Sequence, residues 1–418
     1  MELTQPITSP IPMQRKPILI AHTAGPGDVI TTYRHWLKGE ADPHEVSETY
    51  SGQFYGRIKA RSLSACVIGS HPRQEVLRDA WITLEHRPRH SKGKSGLAFH
   101  LAELWYWLRV ISTFIRARAA IAVIGDMEHW WLLTLLRLAG IEVITVLHCT
   151  FWPKGHRSSR FSRRVVGALN GWFWRHVPVA TISISPECER QVRELAGERV
   201  AGALLQARPL YHSGYLDAIP APHWEQQPFR VLFAGRMERD KGIFDLLDLA
   251  ERLRDFTHHE VVFEVCGSGS AQDEFAEAIE RRRLEDQVRF IGRLDRHGMK
   301  DAFNRAHITF VPTTATFPEG LNQVVVESVL AGRPVIATEI CPAIEVVPNA
   351  VISIAAGDID AMAEAIRRLA TDRMFYEQLQ RNCKDDALPF YDIGMSWGAA
   401  LDQAIEIALG QAGFDDAG

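Results

Sequence analysis

The segment FVPTTATFPEGLNQVVVESVLAGRPVIATEICPAIEVV, residues 310–347, holds the residue types and spacing best suited to chemistry. Glu319 and Glu327 stand eight positions apart around a helix start. That is a little over two turns, so both carboxylates can face one cleft. Gly320 lets the backbone approach a ligand closely, and a helix N-terminus offers free N–H groups to an anion. A carboxylate can also accept two hydrogen bonds from a ribose diol. From spacing alone, a solvated Glu319 and an ordinary surface Glu327 explain the segment equally well. Other motifs carry less. Gly93-Lys94-Ser95 lacks the upstream glycine of a phosphate loop, Pro88 standing there instead, and no strand leads into it. Asp358 of Asp358-Ile359-Asp360 reads as the cap of a C-terminal helix. The 17 histidines include no H-E-x-x-H pair, and His258 and His259 fall in a polar connector. No catalytic metal or cofactor is expected.

The elements that must position these residues alternate along the chain. Candidate strands occupy 17–23, 65–70, 81–86, 120–125, 142–148 and 179–185, then 229–235, 261–267, 288–293, 308–313, 334–339 and 351–357. Most are separated by stretches of helical period, which means βαβ units and parallel sheets covered on both faces. The helix over 241–255 places Ile243, Leu246, Leu247, Leu249, Ala250 and Leu253 largely on one face. The expected fold is α/β, with two Rossmann-like doubly wound domains facing a central cleft. The expected boundaries are 1–210 for the first domain, 211–228 for a Pro- and Gly-rich linker and 229–390 for the second. Residues 391–418 are expected to form a C-terminal helix that packs back on the first domain. A ligand should lie at the carboxyl ends of the strands, between the domains.

Composition supports two soluble-type domains. The chain has 418 residues, 46% hydrophobic and 23% charged, and one domain takes roughly 150 residues. No uncharged apolar run approaches the ~20 residues of a membrane span. The opening MELTQPITSPIPMQRK lacks the apolar core of a secretory leader. The six cysteines are scattered with no C-x-x-C pair, which suits reduced thiols in a cytoplasmic protein. Net charge is -4, yet residues 1–210 carry 27 Lys and Arg against 17 Asp and Glu, whereas the remainder carries 20 against 34. Nine of the 11 tryptophans also precede residue 210. Two domains with different partners follow from this division.

The 310–347 segment resembles the E-x7-E motif of retaining, GT-B-fold glycosyltransferases of family 4. The resemblance extends through FAGRMERDKG (233–242), CGSGS (266–270), FIGRLD (290–295), AGRPVIATEICPAIEVV (331–347) and AAGDIDAMAEAIRRL (355–369). It covers rather less than half the chain, essentially the second domain. The resemblance implies transfer of a sugar from a nucleotide diphosphate sugar, whose departing diphosphate needs charge stabilisation. It implies that Arg236 and Lys241 contact the diphosphate and that Glu327 holds the ribose hydroxyls. Glu319 would hold the donor sugar, and Gly267 and Gly269 would end a strand where the nucleotide passes. The family's usual E-G-F-G is here Glu319-Gly320-Leu321-Asn322. Asn tolerates left-handed geometry, so the loop can survive, and its side chain could contact the sugar. In the first half, HTAGPGDVITTYRHW (22–36) resembles the family's N-terminal glycine-rich loop. Gly25 and Gly27 would then give close approach to donor phosphate and acceptor. Asp28 either orients an acceptor hydroxyl or caps the helix over 29–39. His148 ends a strand where relatives carry a His facing the reaction centre. Retention would proceed by front-face substitution, the departing phosphate oxygen helping to deprotonate the acceptor.

The implied partners are a nucleotide-sugar donor and a saccharide or lipid-linked acceptor, in polysaccharide or glycoconjugate synthesis. Two segments, 101–119 and 151–177, interleave Trp and Phe with Arg and Lys. They suit an anionic membrane surface, hence a peripheral protein at its inner face, and suit equally a helix core with a solvated basic face. Nucleic acid is not an expected partner. The rival readings are a glycoside phosphorylase or synthase on the same fold, and a silent nucleotide-sugar-binding scaffold.

Overall fold

The computed structural model describes residues 17–411, apart from 44, 92, 126, 158–160, 198 and 257–259. His258, His259 and the end of the expected C-terminal helix region lie outside the described residues. The first half runs β1 (Leu19–Ala24), α1 (Val29–Lys38), α2 (Tyr50–Ala60), β2 (Ser64–Gly69), β3 (Glu75–Arg78), β4 (Ile82–His86), α3 (Gly96–Ala117) and β5 (Ile121–Gly125). It continues with α4 (Thr134–Leu138), β6 (Glu142–Leu147), α5 (Phe161–His176), β7 (Ala180–Ser183), α6 (Pro186–Ala196) and β8 (Ala203–Gln206). The second half runs β9 (Phe229–Ala234), α7 (Ile243–Leu253), β10 (Val261–Cys266), α8 (Gln272–Arg282), β11 (Val288–Gly292), α9 (Arg296–Arg305) and β12 (Ile308–Val311). It ends with α10 (Gln323–Leu330), β13 (Val335–Thr338), β14 (Val351–Ile354), α11 (Ile359–Thr371), α12 (Arg373–Ala387) and α13 (Trp397–Gln411).

Each half builds one sheet. The first has eight strands in the order β3-β4-β2-β1-β5-β6-β7-β8, the second six in the order β11-β10-β9-β12-β13-β14. All pairs are parallel except β3 with β4. Every strand expected from the sequence forms. Two more, β3 and β8, close the edges of the first sheet, and both are short and half-exposed. Edge strands bury too little apolar surface to show a clear run in sequence, which is why these two were not anticipated. α7 buries Ile243, Leu246, Leu247, Leu249, Ala250 and Leu253, the six residues expected. Asp358 caps α11 by accepting from Ala361 N at 3.0 Å.

Helices α3, α4, α5 and α6 cover one face of the first sheet through Trp107, Phe114, Leu136, Phe173, Trp174 and Val192. The opposite face is covered by α1, α2 and the returning α13. α13 buries Trp397, Leu401, Ala404 and Ile405 against the first domain, although it follows the second in sequence. Arg61 ties it down through Asp402 at 2.7 Å and Glu406 at 2.6 Å. The chain therefore crosses between the sheets twice, once between β8 and β9 and once between α12 and α13. The first crossing is packed rather than loose. Tyr211, Leu216 and Ile219 are buried, Tyr211 N donates to Phe390 O at 2.9 Å, and the fully buried Arg333 donates to Pro220 O at 2.8 Å.

Trp397 is fully buried between the domains' crossing point and the cleft, with Tyr50 and His22 at ring-centroid distances of 5.7 and 6.2 Å. Trp397→Ala removes the anchor of α13 and should lower stability by about 3–5 kcal/mol, measured by denaturant unfolding. A change below about 1 kcal/mol would mean that α13 is held elsewhere.

Candidate active site

A cleft of about 1220 Å³ lies between the two sheets. Its walls are the loops that follow the carboxyl ends of β1, β6, β9 and β12, as the doubly wound fold dictates. Gly25, Gly27, Asp28 and His148 come from the first domain; Arg236, Lys241, Glu319, Leu321, Asn322 and Glu327 come from the second. Residues 299 positions apart in sequence, Asp28 and Glu327, thus share one cavity.

On the second domain, Lys241 Nζ donates to Glu319 Oε2, and both side chains are largely buried. Asn322 completes the group: with its amide oriented by its neighbours, the nitrogen donates to Glu319 Oε1 at 2.7 Å and the oxygen accepts from Thr313 Oγ1 at 3.2 Å. Asn322 is extended, with φ -75°, so the left-handed geometry expected for it is not used. Its amide instead contacts Glu319. Phe317 lies under both cations, 3.9 Å from Lys241 Nζ and 4.9 Å from the Arg236 guanidinium. Arg236 is exposed toward the cleft.

Glu327 is on α10, where Tyr211 Oη donates to it at 3.4 Å. Burial pushes its carboxyl up to about 7, and the charge of Glu45, from the first domain, adds to the rise. A carboxylate so placed gains from any hydroxyl donors a ligand brings.

On the first domain, Asp28 caps α1 by accepting from Thr31 N at 3.0 Å and Thr31 Oγ1 at 2.9 Å, and it pairs with Arg73 at 2.7 Å. Partial burial works against ionisation, but these hydrogen bonds and the Arg73 charge hold the carboxyl below the ordinary range. Of the two tasks open to Asp28, capping is the one the geometry displays. His148 stacks at a tilt on Tyr50, with centroids 4.6 Å apart. Beside it, His22 Nδ1 lies 3.0 Å from Val123 O. A carbonyl can only accept, so Nδ1 carries the proton. Burial, reinforced by His148, pushes the His22 imidazole down to about 4 and keeps it neutral.

Gly320 and Gly267 do not line the cleft; both work through backbone contact. A Cβ on Gly320 would fall 1.9 Å from His148 O, and one on Gly267 would fall 1.8 Å from Gly235 O. Gly267 also has φ 148°. Gly267 therefore supports the neighbouring Gly235, which does line the cleft, and is not itself a cleft wall. Gly269 similarly abuts Met237 O, at 2.4 Å from the position of a Cβ.

Several participants were not singled out from the sequence. His22, Phe317 and Glu345 lie inside the quoted motifs, whereas Glu45, Tyr50 and Tyr211 show no spacing that marks them. Glu345 clasps the domains, accepting from Lys154 at 2.8 Å and from Arg190 at 2.7 Å. Burial opposes its charge, but the hydrogen bonds from Arg190 and Lys154 hold its carboxyl below the ordinary range.

A second cavity, about 500 Å³, shares His148 and Cys149 with the cleft and runs into the first domain between α3 and α5. Phe99, Trp130, Phe151 and Trp152 line it together with Arg89, Glu103, Thr150 and Asn170. Thr150 Oγ1 and Trp130 Nε1 are buried there without a hydrogen bond.

Two Rossmann-like domains facing a cleft of this kind form the GT-B fold of glycosyltransferases. Residues 217–386 match the family model described as Glycosyl transferases group 1. The chain is 26% identical over 253 residues to glycogen synthase of Mycobacterium tuberculosis (strain ATCC 25618 / H37Rv), covering 58% of this chain. It spans only 59% of that relative's length. It is also 26% identical over 163 residues to the phosphatidylinositol N-acetylglucosaminyltransferase gpi3 subunit of Schizosaccharomyces pombe, covering 37% of this chain and 35% of the relative. Among solved structures, α,α-trehalose 6-phosphate synthase from Burkholderia multivorans superposes with a TM-score of 0.70 at 13% identity, over 97% of this chain and 99% of the other.

The carboxyl of Glu327 yields a test of the site's electrostatics. Its pKa is raised from an ordinary 4.5 to about 7 on folding. Its contribution to stability is therefore complete below about 4.5 and is lost as the pH rises through about 7. The permanently neutral Glu327→Gln should match the parent near pH 4 and exceed it near pH 8 by up to about 3 kcal/mol in denaturant unfolding. Equal stabilities at pH 8 would contradict the buried, repelled carboxylate.

Proposed function

We propose that the protein is a glycosyltransferase that moves a sugar from a nucleoside diphosphate sugar to a saccharide or lipid-linked acceptor, with retained anomeric configuration. The observation that carries this reading is the convergence of Arg236, Lys241, Glu319 and Glu327 of one domain on His148 of the other in a single cleft. The family match over 217–386 supports it.

In this reading the ribose diol donates to Glu327, and the diphosphate lies against Arg236 and Lys241. Lys241 then exchanges its pairing with Glu319 for the phosphate, which frees Glu319 to accept from the sugar hydroxyls. Asn322 keeps Glu319 in place through that exchange. The bond from the anomeric carbon to the diphosphate oxygen breaks as the acceptor oxygen bonds on the same face. The acceptor proton passes to the departing phosphate oxygen, so no separate base is needed. Arg236 and Lys241 stabilise the charge that grows on the leaving group. His148 and the cavity beyond it receive the acceptor, and the acceptor held between the two walls of the cleft takes the place of water. Gly25 and Gly27 leave the first domain's wall low enough for the phosphate to pass; no atom lies within 4 Å of a Cβ on Gly27.

Thermal-shift screening against UDP, GDP, ADP and their sugar conjugates should give a selective rise with one base, since a ligand of the native state alone stabilises it. Arg236→Ala and Lys241→Ala should each weaken binding of that nucleotide diphosphate by about 10- to 100-fold, the worth of a charge-assisted hydrogen bond. They should leave binding of the bare nucleoside little changed. Failure of every nucleotide to bind would move the reading to a phosphorylase acting on sugar phosphates.

A further inference from the structure

Among the described residues, 17 large hydrophobic side chains are exposed, and ten of them belong to α3, α4 and α5. α3 contributes Leu97, Leu101, Trp105, Leu108 and Ile115; α4 contributes Leu135 and Leu138; α5 contributes Val165, Leu169 and Trp172. The three helices cover the same face of the first sheet, so their exposed sides form one surface directed away from it. Trp105 is 67% exposed and Trp172 is 48% exposed, large values for side chains a soluble surface normally hides. Neither tryptophan is in the helix core, which Trp107 and Trp174 fill instead.

The exposed charge on the three helices is of one sign. α3, α4 and α5 carry Arg109, Arg116, Arg137, Arg163, Arg164 and Arg175 and one acidic residue, Glu103. Glu103 is buried, accepting from Ser91 Oγ at 2.5 Å and Trp107 Nε1 at 3.2 Å, so it offsets nothing outside. Arg109, Arg116, Arg163, Arg164 and Arg175 are exposed among the apolar side chains. A second copy of the chain docking by the same surface would set arginine against arginine. No helix among the described residues is long and apolar enough to cross a membrane. Apolar and aromatic side chains ringed by arginine do suit the boundary of an anionic bilayer, the rings at headgroup depth and the cations on phosphate.

We propose that the α3–α4–α5 surface docks this protein on an anionic lipid bilayer. The docking stands independently of the glycosyltransferase reading, but its consequence for the acceptor rests on that reading. The 500 Å³ cavity that reaches His148 is walled by the buried sides of the same helices, through Phe99 and Glu103 of α3 and Val166 and Asn170 of α5. A docked enzyme therefore has its acceptor cavity one helix layer, about 10 Å, behind the bilayer surface, and the acceptor class we infer is a bilayer-resident lipid with a polar head.

The test is cosedimentation of the full chain with vesicles of phosphatidylglycerol and phosphatidylcholine, against phosphatidylcholine alone. Binding is expected only to the anionic vesicles and is expected to fall at high salt. Leu101→Glu with Trp105→Glu, and separately Arg109→Glu with Arg164→Glu, should each reduce it about tenfold or more, with melting temperature and nucleotide-induced shift unchanged. The retained nucleotide shift separates loss of docking from failure of the donor site. Binding that neither pair of substitutions weakens, no binding to anionic vesicles, or a dimer in light scattering that Trp105→Glu dissolves would each overturn the proposal.

Discussion

A backbone carbonyl of one domain occupies the place where residue 320 of the other would carry a side chain. His148 O lies 1.9 Å from the position of a Cβ on Gly320, so only glycine lets the two domains meet there. That approach brings the end of β6 against the loop that carries Glu319. The remainder of the site is arranged around it: Glu319 is held by Lys241 and Asn322, His148 is held against Tyr50, and the cleft is walled on both sides. The clasp of Glu345 with Lys154 and Arg190, and the return of α13 to the first domain, keep the halves in that relation.

The cleft separates its charges by purpose. Glu319 is neutralised by a lysine and a hydrogen bond, whereas Glu327 feels the charge of Glu45 and accepts from the Tyr211 hydroxyl. A ligand that brings hydroxyls to Glu327 and anionic oxygens to Lys241 therefore relieves one strain and exchanges one ion pair. The aromatic ring of Phe317 beneath Arg236 and Lys241 fixes both cations near the cleft without cancelling their charge, which suits recognition of a multiply charged anion.

Much of this architecture was legible in the amino-acid order because parallel strands buried on both faces read as short continuous apolar runs. The core face of α7 and the cap of α11 followed from period and cap chemistry alone. The edge strands β3 and β8 escaped because a half-exposed four-residue strand has no such run. Glu319 and Glu327 stood out within one segment, where spacing left them open and the family resemblance gave them roles. Glu45, Tyr50 and Tyr211 did not, because they reach the site across the domain boundary and only tertiary structure brings them there. Gly267 and Gly320 were recognisable as glycines with a task, and what the fold displays for both is close backbone packing. Asp28 was open between two roles; its cap on Thr31, three residues on, is local, whereas its pairing with Arg73 is one that only the fold provides.

The most direct test is a crystal structure of the chain with its preferred nucleoside diphosphate sugar. The account predicts the ribose diol on Glu327, the diphosphate against Arg236 and Lys241, and the sugar between Glu319 and His148, with the Lys241–Glu319 pair exchanged. A nucleotide bound away from Glu327, or a Lys241–Glu319 pair left intact beside a bound diphosphate, would contradict it.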